Sequence, residues 1–230
     1  TFGNSPQKTG EPVDRLNIHS GKALEFDGIG DYLNSSVPEF SHVNEFTVSC
    51  WFKTSATTGG DNQWHPIVIG KAGTSATRFI LGFHQNGATK YFKWMIYNTS
   101  DYVKFEIAEN YNDGQWHRVV ATNTNSTLAL YIDGVSLTNL GVNASATVAP
   151  TSGEMHIGKN STYYFNGHLC DLQLWDKKWE LSDVTYDYLN PETLITSNAN
   201  VTSGITTSNL LSWYPMNDTG ITNPQTVVFD

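Results

Sequence analysis

Residues 113–137 read "DGQWHRVVATNTNSTLALYIDGVSL", and this stretch limits the possible fold more than any other. "WHRVVATN" and "LALYI" alternate their side chains with the period of a strand rather than the 3.6-residue period of a helix. Between them "NTNST" is a run of turn formers, and Asp133-Gly134 is a strong hairpin dipeptide. Two strands and two turns follow one another here without a break. The Trp116-His117 pair inside them is expected to be packed and hydrogen-bonded, because a histidine flanked by Trp and Arg in a strand is more often a scaffold ring than a base or a ligand.

From about residue 17 the same grammar repeats as short alternating runs between turn residues, the pattern of an antiparallel sandwich. "KALEFDGIGDYLN" forms a hairpin around Gly28-Ile29-Gly30, and "EFTVSCWFK" puts Phe46, Val48, Cys50 and Phe52 on one face. "HPIVIGK", "RFILGFHQNG", "KYFKWMIYN" and "YVKFEIAE" are further strands. In "KYFKWMIYN" the alternation turns Phe92, Trp94 and Ile96 inward and leaves Tyr91, Lys93 and Tyr97 on the outer face. After "EMHIGK" and "FNGHLCDLQLWD" comes one short helix, "LSDVTYDYLN", expected near residues 182–189 with Ser182 as N-cap and Pro191 as stop. The fold class is therefore all-β. Residues 1–16 read as a lead-in, 17–190 as the sandwich, and 191–208 as a linker or long loop. Residues 209–230 read as a strand that closes the sandwich or as the start of a following repeat.

At 230 residues, 39% hydrophobic and 13% aromatic, the chain has material for one large core. A formal net charge of -9 with no Lys/Arg cluster excludes nucleic acid as a partner, since nothing is present to displace phosphate counterions. No apolar run approaches the roughly 18 residues of a membrane span, so membrane insertion is not expected. The N-terminal "TFGNSPQKTG" has no export pattern. Cys50 and Cys170 lie in alternating strands and point into the core, which favours buried free thiols over a disulfide.

In order and spacing, "ALEFDGIGDYLN", "FTVSCWFKT", "DGQWHRVVATNTNSTLALYIDG", "MHIGK" and "FNGHLCDLQLWDKKWELSDV" resemble the laminin-G-like, pentraxin-like branch of the concanavalin A-type jelly rolls. The resemblance covers roughly residues 17–190 and implies a two-sheet antiparallel jelly-roll sandwich. Such a fold hosts lectins, adhesion modules, glycanases and inert spacers. "LLSWYPMND" looks like the segment that precedes the "ALEF" strand in tandem arrays. That implies a repeat of a larger surface protein, similar to arrays in microbial adhesins and in marine phage fibre or tail proteins.

Jelly-roll glucanases resemble one another in carrying Glu-x-Asp-x-Glu or Glu-x-Asp-x-x-Glu on one strand, where alternate carboxylates flank the scissile bond. The lone Glu-x-Asp here is Glu25-Phe26-Asp27, followed by Ile29 and Gly30 in place of the third carboxylate, and Glu106 and Glu109 are three apart and face opposite sides. An enzyme is not expected. Calcium is the usual ion of the family, but the acidic loop of pentraxin-like lectins is replaced by Lys159-Asn160-Ser161. One structural calcium is the cofactor the resemblance allows, with Asp171 as its carboxylate and Asp27 and Asp31 near the candidate carbonyls. The alternative has Asp31 capping its own turn and Asp171 pairing with a neighbouring amide or cation.

Sugar binding in this fold relies on exposed rings, because the apolar face of a pyranose stacks on them while amides and carboxylates take its hydroxyls. Trp64 and His65, in the Gly/Asp/Asn loop "GGDNQWHP", are the first candidates. Tyr97 on the outer face, and Tyr163 and Tyr164 in the loop that bears ligands in related lectins, complete the set. Trp51, Trp175 and Trp179 are expected to be structural. The expected function is a non-enzymatic carbohydrate-binding or adhesion module on an extracellular, cell or virion surface, with a cell-surface or environmental glycan and neighbouring domains of the same protein as partners. A fibre spacer and a glycan hydrolase or lyase are the alternatives.

Overall fold

The computed structural model describes residues 23–37, 45–71, 78–97, 101–141, 153–191, 193–198, 203–216 and 228–229. The expected lead-in at residues 1–16 lies outside the described residues. The chain forms an all-β sandwich of two antiparallel sheets. The first runs β1 (Leu24–Asp27), β14 (Asn166–Trp175), β3 (Glu45–Lys53), β8 (Trp116–Thr124), β9 (Thr127–Ile132) and β10 (Val135–Ser136), with β15 (Leu210–Tyr214) also paired to β14. The second runs β16 (Val228–Phe229), β2 (Tyr32–Val37), β11 (Gly153–Ile157), β4 (Trp64–Lys71), β5 (Arg78–Asn86), β6 (Thr89–Tyr97) and β7 (Tyr102–Ala108). A small ribbon, β12 (Lys159–Asn160) with β13 (Tyr163–Tyr164), stands at one end.

The period-2 pattern sorts the core. Phe46, Val48, Cys50 and Phe52 of β3 meet Phe79, Leu81 and Phe83 of β5 and Phe92, Trp94 and Ile96 of β6 in one buried cluster. Phe52 stacks on Phe92 at 5.4 Å and 15°, and Phe46 meets the edge of Trp94 at 5.7 Å, so the sheets are joined by interlocked rings. Both cysteines are buried and free. Burial drives the Cys50 thiol far up, keeping it a protonated core group rather than a nucleophile.

A second core covers the opposite face of the first sheet. Val120, Tyr131, Trp175, Trp179, Val184, Ile195 and Ile205 cluster there beneath helix α1 (Leu181–Leu189). The helix begins one residue before the expected 182 and is capped at Glu180 rather than Ser182. Asp183 explains the shift, because its Oδ2 accepts the Glu180 N–H at 2.8 Å and satisfies the first turn from within. The described part of 191–208 is not a free linker: it makes two short 3-10 turns and buries Ile195 and Ile205. Two isoleucines without a period left no strand or helix signal. Beyond it, β15 lies antiparallel on β14, with Trp213 opposite Gln173.

One buried cation ties these layers together. The guanidinium of Arg118 on β8 directs Nε and Nη2 to the two Asp187 carboxylate oxygens at 2.7 and 2.9 Å. Its Nη2 also reaches Ser49 Oγ at 3.1 Å, and Nη1 reaches both the backbone oxygen and Oδ2 of Asp171 at 2.9 Å. Burial opposes the charge, but Asp187 and Asp171 outweigh it and hold the Arg118 pKa above its ordinary value. Cutting one partner from such a buried set leaves an uncompensated charge. Asp187→Ala should therefore lower unfolding stability by about 3–5 kcal/mol in urea denaturation, and a loss within the ~0–1 kcal/mol of a surface pair would refute this role.

His117 is packed as expected, against Phe52 at 5.6 Å and Tyr111 at 5.1 Å. Its Nδ1 lies 2.8 Å from Asp133 Oδ2 and its Nε2 lies 3.1 Å from Asp113 Oδ1. Burial opposes the charged ring, but the two carboxylates outweigh it and raise the pKa. A raised folded pKa gives stability that is complete below the unfolded value, about 6.5, and is lost as pH rises through the folded one. His117→Gln should flatten that decline in a pH series of unfolding curves. Equal slopes in variant and wild type would count against it.

Candidate functional site

The site is assembled at Asn166, where three elements meet. In the β1–β2 turn, Asp27 Oδ1 accepts the N–H of Ile29 at 2.7 Å and of Gly30 at 3.1 Å, and Asp31 Oδ2 accepts the Asp27 N–H at 3.2 Å. The Ile29 and Gly30 N–H bonds hold the exposed Asp27 carboxyl below its usual pKa. The turn needs glycine at position 28: φ is +80°, and a Cβ there would lie 2.8 Å from Asn166 Cβ. Asn166 then donates its Nδ2–H to Asp27 O at 3.0 Å and its backbone N–H to His65 Nε2 at 2.6 Å.

Residues 54–63 form one wall. Thr54 Oγ1 donates to Asn166 O at 2.6 Å, and Thr58 Oγ1 donates to Gln85 Oε1 at 3.3 Å. The backbone N–H of Asn62 donates to Gln85 O, and that of Gln85 to Gln63 O, so the loop is laced to the end of β5. Ser161, at φ +59°, turns the β12–β13 ribbon to form the opposite wall. The resulting cleft has a volume of roughly 270 Å³ and is lined chiefly by Thr57, Gln63, Trp64, Tyr163, Tyr164 and Asn166.

Four of the five residues expected to stack on sugar line this cleft, but they do not have the same role. Trp64 and His65 are not in a loop; they open β4, and the pleat sends them to opposite sides. Half-buried Trp64 pairs with His84 across the strands, their rings 4.5 Å apart. His65 turns inward, is 5% exposed, and stacks on Phe165 at 4.5 Å and 10°. Burial lowers its pKa to about 4, so the ring is neutral and its Nε2 is free to accept from Asn166. His65 positions Asn166 and is not a stacking platform. Tyr163 and Tyr164 are half-buried on the ribbon, with Tyr164 6.4 Å from Tyr32.

Tyr97 is elsewhere. It lies on β6 six residues from Tyr91, the register neighbour of His84, which is roughly 20 Å along a strand, and Arg78 sits 6.0 Å over its ring. The three aspartates do not converge either. Asp171 is five residues along β14 from Asn166, the register partner of Asp27, a separation of roughly 17 Å. At a bulge with φ +50°, its carboxylate accepts from Arg118, the Gln173 amide and the Trp213 indole at 2.6–3.0 Å. Asp27 and Asp31 cap their own turn. Among the described residues no group of three His, Cys, Asp or Glu side chains could hold a metal ion.

Sequence reasoning missed Gln63, Thr57 and Asn166, because polar residues in Asn/Thr-rich loops carry no pattern that separates lining from solvated surface. It also missed a polar network on the outer face of the second sheet. There Lys93 Nζ lies 2.7 Å from Glu106 Oε1 and 3.0 Å from His84 Nδ1, and Lys104 Nζ lies 2.8 Å from Glu106 Oε2. Burial and then the Lys93 charge lower the His84 pKa to about 4. Glu106 is thus committed to two lysines, and burial raises the pKa of Glu109, three residues on.

The profile of a laminin-G family, described as the concanavalin A-like lectin/glucanases superfamily, matches residues 27–185, and the chain belongs to this family. Domain 4 of AbnA, an extracellular arabinanase of Geobacillus stearothermophilus solved in complex with arabinotriose, superposes with TM-score 0.52 at 19% identity, over 74% of this chain and 77% of that one. A heptameric SAP-like pentraxin from Limulus polyphemus gives TM-score 0.52 at 16% identity over 89% and 93%. Mouse laminin α1 domains LG4-5 give 0.48 at 19% identity over 67% and 41%, so the chain spans less than half of that one. At these identities the likeness is one of fold. No curated protein sequence matches the chain.

The site geometry fixes the His65 tautomer. In an NMR titration His65 should stay neutral, with Nε2 as acceptor, down to a pH near 4. Titration near the ordinary 6.5 would mean that it does not hold Asn166.

Proposed function

We propose that the chain is a non-enzymatic carbohydrate-binding module whose site is the cleft between residues 54–63 and the β12–β13 ribbon. The observation that carries this reading is the convergence of three half-buried rings, Trp64, Tyr163 and Tyr164, with amide and hydroxyl side chains in one cleft. Rings supply the stacking surface for the C–H face of a sugar, and Gln63, Thr57 and Asn166 supply hydrogen bonds for its hydroxyls. The fold likeness to an arabinanase domain solved with arabinotriose supports the class of ligand. It also supports an extracellular or surface setting, in keeping with the word that describes that enzyme. The non-enzymatic part rests on the carboxylates: Asp27 is used by its turn, and Glu106 by Lys93 and Lys104.

A glycan array read with the wild type and with Trp64→Ala tests the proposal. Loss of one stacking ring should weaken binding by about tenfold, ~1.4 kcal/mol. A wild type that binds no glycan overturns the reading and favours the spacer. Turnover of a polysaccharide overturns the non-enzymatic assignment.

A further inference from the structure

Resting on that reading, we infer that the cleft takes uncharged sugars and holds them directly, without a bridging calcium ion. The lining residues carry the argument. They are glycines, threonines, an alanine, a glutamine, an asparagine, a histidine and three aromatic rings, with no carboxylate, lysine or arginine among them. Calcium takes six to eight oxygen ligands and relies on carboxylates. Of the carboxylates near the cleft, Asp27 is used by the N–H groups of its own turn, Asp61 by the Gly87 N–H at 2.5 Å, and Glu109 by the backbone N–H of Thr58. The family's usual ion therefore does not fit this donor set.

The same inventory disfavours acidic sugars, whose recognition needs a guanidinium or ammonium, since none is among the lining residues. The cations beside the cleft are already engaged: Lys90 Nζ bonds Thr57 Oγ1, Lys93 Nζ pairs with Glu106 and lies 5.7 Å from the Trp64 ring, and Lys159 Nζ lies 3.7 Å over the Tyr32 ring and 5.3 Å from that of Tyr164. His65 adds no charge, since burial keeps it neutral down to a pH of about 4. A formal net charge of -9 further repels an anionic ligand at long range.

What remains suits neutral hydroxyls. The Gln63 amide, the Trp64 indole N–H and the Tyr163 and Tyr164 hydroxyls make no hydrogen bond to other described residues, and they belong to the residues that line the cleft. A directly held sugar needs donors and acceptors with this freedom, whereas a metal-bridged one needs fixed anionic oxygens.

The test is a glycan array with neutral, sialylated and uronic-acid members, repeated with EDTA, with added calcium, and at low and high salt. Neutral glycans should be retained, their affinity changing less than about twofold between EDTA and calcium and between the two salts, because no ionic contact is present to be screened. Binding abolished by EDTA, or confined to acidic glycans and lost at high salt, overturns this inference while leaving the cleft as a glycan site. Absence of any binding overturns both together. Tyr163→Phe, which keeps the ring and removes one hydroxyl, should weaken neutral glycans several-fold with an unchanged near-ultraviolet spectrum, and an unaltered affinity would show that the hydroxyl makes no contact.

Discussion

The buried guanidinium of Arg118 is the contact on which the rest of the architecture depends. A charge with 1% exposure survives only if its donors are matched, and all five N–H groups of Arg118 are: three point to Asp187 and Ser49 and two to Asp171. Each partner belongs to a different element. Asp187 brings the helix onto the first sheet, Ser49 belongs to β3, and Asp171 sits at the bulge of β14. At that bulge β14 changes edge partner, from β1 over Asn166–Leu169 to β15 over Leu172–Trp175. The indole of Trp213 on β15 closes the arrangement at 2.6 Å from Asp171.

This change of partner has a consequence at the far end of the strand. Because β1 pairs only with the first part of β14, its turn arrives opposite Asn166, where Gly28 leaves room for the Asn166 side chain. On the other sheet, Gly82 does the same for β4: a Cβ there would lie 2.6 Å from His65 O, so only glycine allows β4 to reach His65 and Trp64 in register. The cleft is thus set by close approach at two glycines, to the Asn166 side chain at one and to the β4 backbone at the other, and its side chains come from strand ends and from loops that strand ends hold.

What was legible in the sequence follows from what has a period. The two sheets, the inward rings of β3 and β6, the free thiols and the packed His117 all derive from alternation or from strong turn dipeptides. The same rule corrects the sequence reading at Trp64 and His65. Placing both in a loop aims both at a ligand, whereas a strand start must separate them, and it makes one a wall of the cleft and the other a prop behind it. Long-range pairings had no such signal. Arg118 and Asp187 are 69 residues apart, and neither Asp171 nor Asp187 differs in sequence from a solvated aspartate. The expectation that Asp171 pairs with an amide or a cation describes its place in the fold, where it meets Gln173 and Arg118 together.

The size and neutrality of the cleft bear on how such a module works. At roughly 270 Å³ it lies just under the usual range of small-molecule sites, about 300–1,000 Å³. On the proposed reading it would take a short sugar segment and enclose little of a long chain. Stacking and neutral hydrogen bonds contribute only ~0.5–1.5 kcal/mol each after water is displaced, so a single cleft binds modestly. Neutral contacts also lack the long-range steering that charge gives to encounter. For a module that binds as proposed, strong attachment would come from several clefts acting on one surface, where effective concentration multiplies weak sites without new contacts. A sandwich suits the proposed use, since the rings that line the cleft are held by strands that also build the domain.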